Sequence, residues 1–218
     1  MLPRSLVGLA VTTAFMGTAA HAADPSFSYS NQTGVEQAEA ISAYSRITAD
    51  ASSVTFKETV GQASALPGRT NGTVSATNAS YLVFEKGLYA GSSGARSPIS
   101  VASGSTVVVN DVANFSCSGS ASVISLSDDS TLRFADTTDV SIKASGSRST
   151  ALSATSSTIQ FVNAEDISIS ASGSKSTVLS ATSSTIQFVN AEDISISASG
   201  ADSTALSAAS STIDLINS

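Results

Sequence analysis

The chain has no tryptophan, one cysteine, one histidine and four prolines in 218 residues, and only 12% of it is charged. Each shortage removes a class of chemistry. Cys117 has no partner for an intramolecular disulfide, so the stability of the fold must come from elsewhere. The lone imidazole, His21, lies in a segment that reads as a removable leader, and without it serine–histidine and cysteine–histidine catalysis and histidine-bearing zinc sites are excluded. Basic residues are also scarce, ten against seventeen acidic, for a net charge of −7. That balance argues against a phosphate-binding surface, so no nucleic-acid partner is expected. Polybasic patches that would hold the chain to an anionic membrane are missing as well. Low charge with a mean hydropathy of +0.20 argues for a folded chain rather than a disordered one.

Serine is what the sequence has in abundance, with 47 residues. Before the serine-rich part, residues 1–22 read as a secretory signal peptide. Arg4 supplies the positive start, residues 6–18 the short apolar run, and Ala20-His21-Ala22 the small-x-small cleavage pattern. The run is shorter than the ~20 apolar residues of a membrane-spanning helix, and no second such run follows. Export is therefore expected. Cleavage after Ala22 would leave nine basic and seventeen acidic residues, a formal charge of −8.

The dominant feature is an internal repeat. The segment LSATSSTIQFVNAEDISISASG occupies residues 152–173 and recurs letter for letter at 179–200, a shift of 27. A third copy starts at Leu206 and runs to Ser218. A diverged copy covers residues 119–145, and a weaker one, two residues shorter, covers 94–118. Within one copy, residues 150–154, 158–162 and 166–170 alternate apolar and polar with period two, and Gly, Ser, Asn and Asp occupy the joints. Three strands and three corners per 27 residues describe one coil of a three-sided solenoid. The fold expected is all-β, a right-handed parallel β-helix of ~27-residue coils.

Stacked coils generate columns. Val107, Leu132, Ile159, Ile186 and Ile213 form one apolar column, the first step being 25, and Val109, Phe134, Phe161, Phe188 and Leu215 a second. Counting in the same way puts Phe115, Val140, Ile167 and Ile194 in a third, and Cys117, Ile142, Ile169 and Ile196 in a fourth, with Cys117 a small buried hydrophobe. Asp111, Asp136, Asn163, Asn190 and Asn217 share a corner column, where stacked amides can bond from coil to coil. Three residues on, Asn114, Asp139, Asp166 and Asp193 form an acidic column. Stacked carboxylates repel and need backbone donors, exposure or a cation. Turn-type hydrogen bonding is the main expectation for them. A calcium ladder through Asp139, Asp166 and Asp193 is the weaker one, because the glycine-rich nonapeptide of calcium β-rolls is absent.

The chain divides into the leader 1–22, an N-terminal region 23–50 of different texture, irregular early coils over 51–118 and regular repeats over 119–218. Residues 35–44, rich in Ala and Glu, suggest a short helix capping the first coil. Residues 53–57 and 80–85 read as strands, and residues 66–72 as a loop. The last repeat stops before its third strand with no cap in residues 206–218, which suggests a fragment of a longer protein.

Coils such as Ser157-Thr158-Ile159-Gln160-Phe161 followed by Ile167-Ser168-Ile169-Ser170, behind a leader, are similar to autotransporter passenger domains over roughly residues 50–218. The resemblance is one of composition and periodicity, without a diagnostic motif. It implies a β-helix related in architecture to pectate lyases, displayed at the bacterial cell surface by a C-terminal barrel that this sequence does not include. Membrane contact is expected only through such a barrel. It further implies adhesion, with host glycans or surface proteins as partners, or self-association of neighbouring rods. A passive spacer within a longer autotransporter is the alternative. A polysaccharide lyase or hydrolase is a weaker one: Asp128 and Asp129, then Asp136 and Asp139, are the carboxylates, with Arg133 and Lys143 as the nearest basic groups. Counting by 27 aligns Asp128 and Asp129 with Thr155-Ser156 and Thr182-Ser183, where no acid is kept. Copied coils extend a surface, whereas an active site is a single arrangement, so neither catalysis nor a cofactor is expected.

Overall fold

A computed structural model describes residues 25–42, 44–62 and 72–218. The leader, and all of the expected 66–72 loop except Gly72, lie outside the described residues. Every strand pairing is parallel, and the strands stack on three faces of a solenoid.

The first face is an eight-stranded sheet of Ser26–Ser30, Arg46–Asp50, Thr73–Thr77, Ile99–Val101, Ser122–Leu126, Thr150–Thr155, Thr177–Thr182 and Thr204–Ala209, in that spatial order. The second face runs from Val35–Gln37 through Ser53–Phe56 and Tyr81–Phe84, then the first halves of Thr106–Cys117 and Thr131–Ala144, to Thr158–Val162, Thr185–Val189 and Thr212–Ile216. The third face begins with the bridges Ile41–Val60–Leu88. It continues with Leu88–Ser92, the second halves of the two long strands, Asp166–Ala171 and Ile194–Ala198.

Alternation decides what points inward. In Thr158–Val162 only Ile159 and Phe161 are buried, and the same holds for Ile186 and Phe188 one coil later. Stacked at the strand spacing, equivalent residues touch. Phe134, Phe161 and Phe188 lie with ring centroids 4.7 Å apart and planes within 13°. Phe56 and Phe84 do the same in the early coils. Val109 interrupts this column between Phe84 and Phe134, and beside the gap Phe115 leans from the third face toward Phe134, centroids 6.0 Å apart. Burial of each such side chain contributes about 1.5–3 kcal/mol.

The 27-residue register holds for Ile159–Ile186, Phe161–Phe188 and Ile167–Ile194. It fails at two corners. Leu132 pairs with Val107, a step of 25, but Val140 pairs with Ala113, a step of 27. The two extra residues are Asp136 and Thr138, bulged out where the second face turns into the third. The third-face columns inferred from counting therefore shift for the earlier coil: Phe115 stacks on Ile142, Cys117 on Ala144 and Asn114 on Ser141, so Asn114 leaves the acidic column. Cys117 is buried as expected, in a column of alanines. The other irregular corner lies between the first and second faces. Leu126 pairs with Ala154, a step of 28, and Thr131 with Thr158, a step of 27. Asp128 and Asp129 thus belong to a corner one residue longer than the next. Both are left-handed, as are Asn78 and Ala79, and Ser103 and Gly104, at the same corner of earlier coils; later coils need only Ser156, Ser183 and Ser210.

Residues 35–44 are not helical where described. Val35–Gln37 pairs with Ser53–Phe56, and Ile41 bridges Val60. Pairing to the next coil satisfies these backbone groups, and that tertiary gain overrides the helix preference of Ala and Glu. Tyr44 is buried and donates its hydroxyl to the Tyr89 carbonyl at 2.9 Å; burial raises its pKa far above the ordinary phenol value. The strands expected at 53–57 and 80–85 are present as Ser53–Phe56 and Tyr81–Phe84.

The bulged corner also holds a misfit. Thr137 occupies the inward corner position that Ala164 and Ala191 take in later coils, since the Glu165 amide bonds to the Thr137 carbonyl as the Glu192 amide bonds to that of Ala164. Its hydroxyl is buried without a hydrogen-bond partner. A buried unpaired hydroxyl costs about 1–3 kcal/mol. Thr137→Ala is therefore expected to stabilise the protein by about 1 kcal/mol, visible as a higher midpoint in thermal unfolding. A lower midpoint would show that the threonine methyl contributes more than the hydroxyl costs.

Candidate functional site

The outward faces of the regular coils are the candidate site, and local stereochemistry builds them. Corner residues with positive φ must tolerate the left-handed region, which suits Asn and Asp. Asp111, Asp136, Asn163, Asn190 and Asn217 all adopt it, with φ between 49° and 66°. Side chains in this column reach along the rod axis. Asn163 Nδ2 donates to Asp136 Oδ1 at 2.9 Å, and Asn190 Nδ2 donates to Asn163 Oδ1 at 3.1 Å. A second ladder runs along the middle of the second face, where Gln160 Nε2 donates to Gln187 Oε1 at 2.9 Å and Gln187 Nε2 to Asp214 Oδ2 at 3.4 Å. Thr158, Thr185 and Thr212 flank it in register. On the third face Ser168 pairs with Ser195 and Ser170 with Ser197, two parallel rows of hydroxyls.

Asp139 and Asp166 are register neighbours, and Asp193 precedes Ile194 as Asp166 precedes Ile167. All three are exposed. Exposure and high dielectric dissipate their repulsion. Among the described residues no group of three His, Cys, Asp or Glu is arranged to hold a metal ion. The residues weighed for sugar cleavage are dispersed. Asp128 and Asp129 sit at the corner between the first two faces, Arg133 on the second face in register with Val108 and Gln160, and Lys143 on the third face beside Ser116 and Ser170.

Counting serines as outward residues misses half of their role. Ser52, Ser80, Ser105, Ser130, Ser157 and Ser184 are buried at one corner, and Ser149 and Ser176 at another. They form inner ladders. Ser157 N donates to Ser184 Oγ at 3.1 Å while Ser184 Oγ donates to the Thr182 carbonyl at 2.8 Å, and Ser52 N and Ser80 N bond in the same way to Ser80 Oγ and Ser105 Oγ. A hydroxyl accepts and donates at once, so one small side chain satisfies an amide of one coil and a carbonyl of its own. The signal in the sequence is the second serine of Ser156-Ser157 and Ser183-Ser184, recurring at a fixed place before Thr158 and Thr185.

These features define the class of protein: a three-sided parallel β-solenoid with rows of uncharged hydrogen-bonding side chains along its regular coils. Compared with protein-family models, curated proteins and solved structures, the chain matches none of them.

Proposed function

We propose that this chain is an exported surface rod of the autotransporter-passenger type that adheres or self-associates through its outward polar ladders. The observation that carries the reading is the repetition of the same uncharged donors and acceptors at strand spacing, in the Gln160–Gln187, Asn163–Asn190 and Ser168–Ser195 rows. Such rows offer a periodic surface to a periodic partner, a glycan chain or another rod, and their Gln, Asn and Ser side chains add no charge repulsion between like molecules. An exact duplication of 22 residues lengthens these rows without altering them.

Sedimentation equilibrium and glycan-panel binding test this. The chain is expected to associate with rising concentration or to bind glycans. Adding one negative charge per face with Ser168→Glu and Gln160→Glu should weaken self-association at least ~10-fold, about 1.4 kcal/mol. A chain that stays monomeric and inert on glycan and cell panels is instead a spacer.

A further inference from the structure

Away from the regular coils, the first coils form a groove of about 510 Å³ lined by Ser26, Ser45, Arg46, Thr73, the Ser92–Gly94 corner, Ala95 and Arg96. Stacking creates it. Ser26, Arg46 and Thr73 are successive rungs at the start of three first-face strands, so the Arg46 side chain rises between two hydroxyls. The facing wall is the turn after the strand Leu88–Ser92, anchored where Gly91 N donates to the Gly72 carbonyl at 3.1 Å. Ser26 and Ser45 share a hydrogen bond of 2.6 Å, and Gly94 N donates to Ser92 Oγ at 3.3 Å, so the hydroxyl lining is organised.

The electrostatics are unusual for this molecule. The chain carries seventeen acidic residues and ten basic ones, yet two of the ten basic residues line this groove, and no carboxylate lines it among the described residues. Both ion pairs among the described residues belong to Lys57, so neither Arg46 nor Arg96 is neutralised there. A guanidinium presents a planar fork that matches an oxyanion, and hydroxyls donate and accept as sugar hydroxyls do.

We infer that this groove binds a carboxylate-bearing saccharide, with Arg46 and Arg96 on the carboxylate and the hydroxyls of Ser26, Ser45, Thr73 and Ser92 facing the ring. A singly charged carboxylate is favoured over a phosphate because the net negative field of the protein opposes a dianion more strongly. The site stands apart from the ladders of the regular coils, and a rod that never self-associates still carries it.

The test is a calorimetric or chemical-shift titration of the full chain with D-glucuronate, D-glucose and D-glucose 6-phosphate. Saturable binding of glucuronate is expected, weakened tenfold or more by Arg46→Gln and by Arg96→Gln, with glucose not binding and glucose 6-phosphate binding more weakly. Both arginines are exposed, so the variants should unfold at the parent temperature. Arg133→Gln, on the second face, should leave binding unchanged. The inference is overturned if glucuronate does not saturate, if neither groove variant weakens it, if Arg133→Gln weakens it equally, or if the phosphate binds more tightly.

Discussion

Phe161→Asp is expected to abolish cooperative unfolding, whereas Gln160→Asp, one residue away, changes stability by less than about 1 kcal/mol. Phe161 is fully buried between Phe134 and Phe188, its ring 4.7 Å from each. Removing such a ring costs about 3–5 kcal/mol, and placing a carboxylate in the vacated apolar space adds several more. The sum approaches the ~5–15 kcal/mol of a whole domain. Because solenoid coils are stabilised by their neighbours, the damage spreads to the coils above and below. Gln160 points the other way and is half-exposed, and its column already contains Asp214 beside Gln187. The substitution loses one amide–amide bond of about 0.5–1.5 kcal/mol and leaves its partner access to water. Denaturant unfolding followed by circular dichroism separates the two variants, and equal damage from both would refute the inside–outside assignment.

Gly173→Ala is expected to destabilise by about 1–3 kcal/mol or more, against almost nothing for Gly94→Ala. Gly94, Gly119, Gly146, Gly173 and Gly200 recur at the corner between the third and first faces, and from Gly119 onward each packs on the one before. A Cβ on Gly173 would overlap the carbonyl of Gly146, and those on Gly146 and Gly200 would overlap the preceding glycine in the same way. The obstacle is backbone, so no side-chain rotation relieves it and the coils must part. At Gly94, the first of the series, an added Cβ meets no atom within 4 Å. The pair therefore isolates coil-to-coil contact from the general cost of replacing glycine. A Gly173→Ala variant as stable as Gly94→Ala would mean that the corners do not stack as tightly as described.

Much of this architecture is legible in the amino-acid sequence. Residue alternation separates Ile159 and Phe161 from Gln160, and the 27-residue period places Ile159 on Ile186 and Asn163 on Asn190. Both signals are local or strictly periodic, and a parallel stack converts them directly into columns. Where coils differ in length the pattern falls silent. Counting carries the 25-residue step on through Phe115–Val140 and Cys117–Ile142; the structure ends it at the preceding corner, where Asp136 and Thr138 are the two extra residues. Either placement keeps apolar residues inside, because two residues are one full period of a strand. Only the hydrogen-bond ladder distinguishes them, and it seats Phe115 on Ile142 rather than Val140.

Serine illustrates the same division. Its abundance is plain in the sequence, but whether Ser184 turns inward or Ser168 outward depends on which backbone amide of the adjacent coil lacks an acceptor. The arginine groove is invisible there for a related reason, since Arg46 and Arg96 are fifty positions apart and meet only because coils pile up. The primary structure alone determined the repeat length, the alternation, and hence the identity of the buried phenylalanines and isoleucines in the regular coils. Tertiary structure decided corner register, the inward serines, the strand fate of residues 35–37 and the groove. Each of these depends on contacts between chain segments a coil or more apart, whose energies no local pattern encodes.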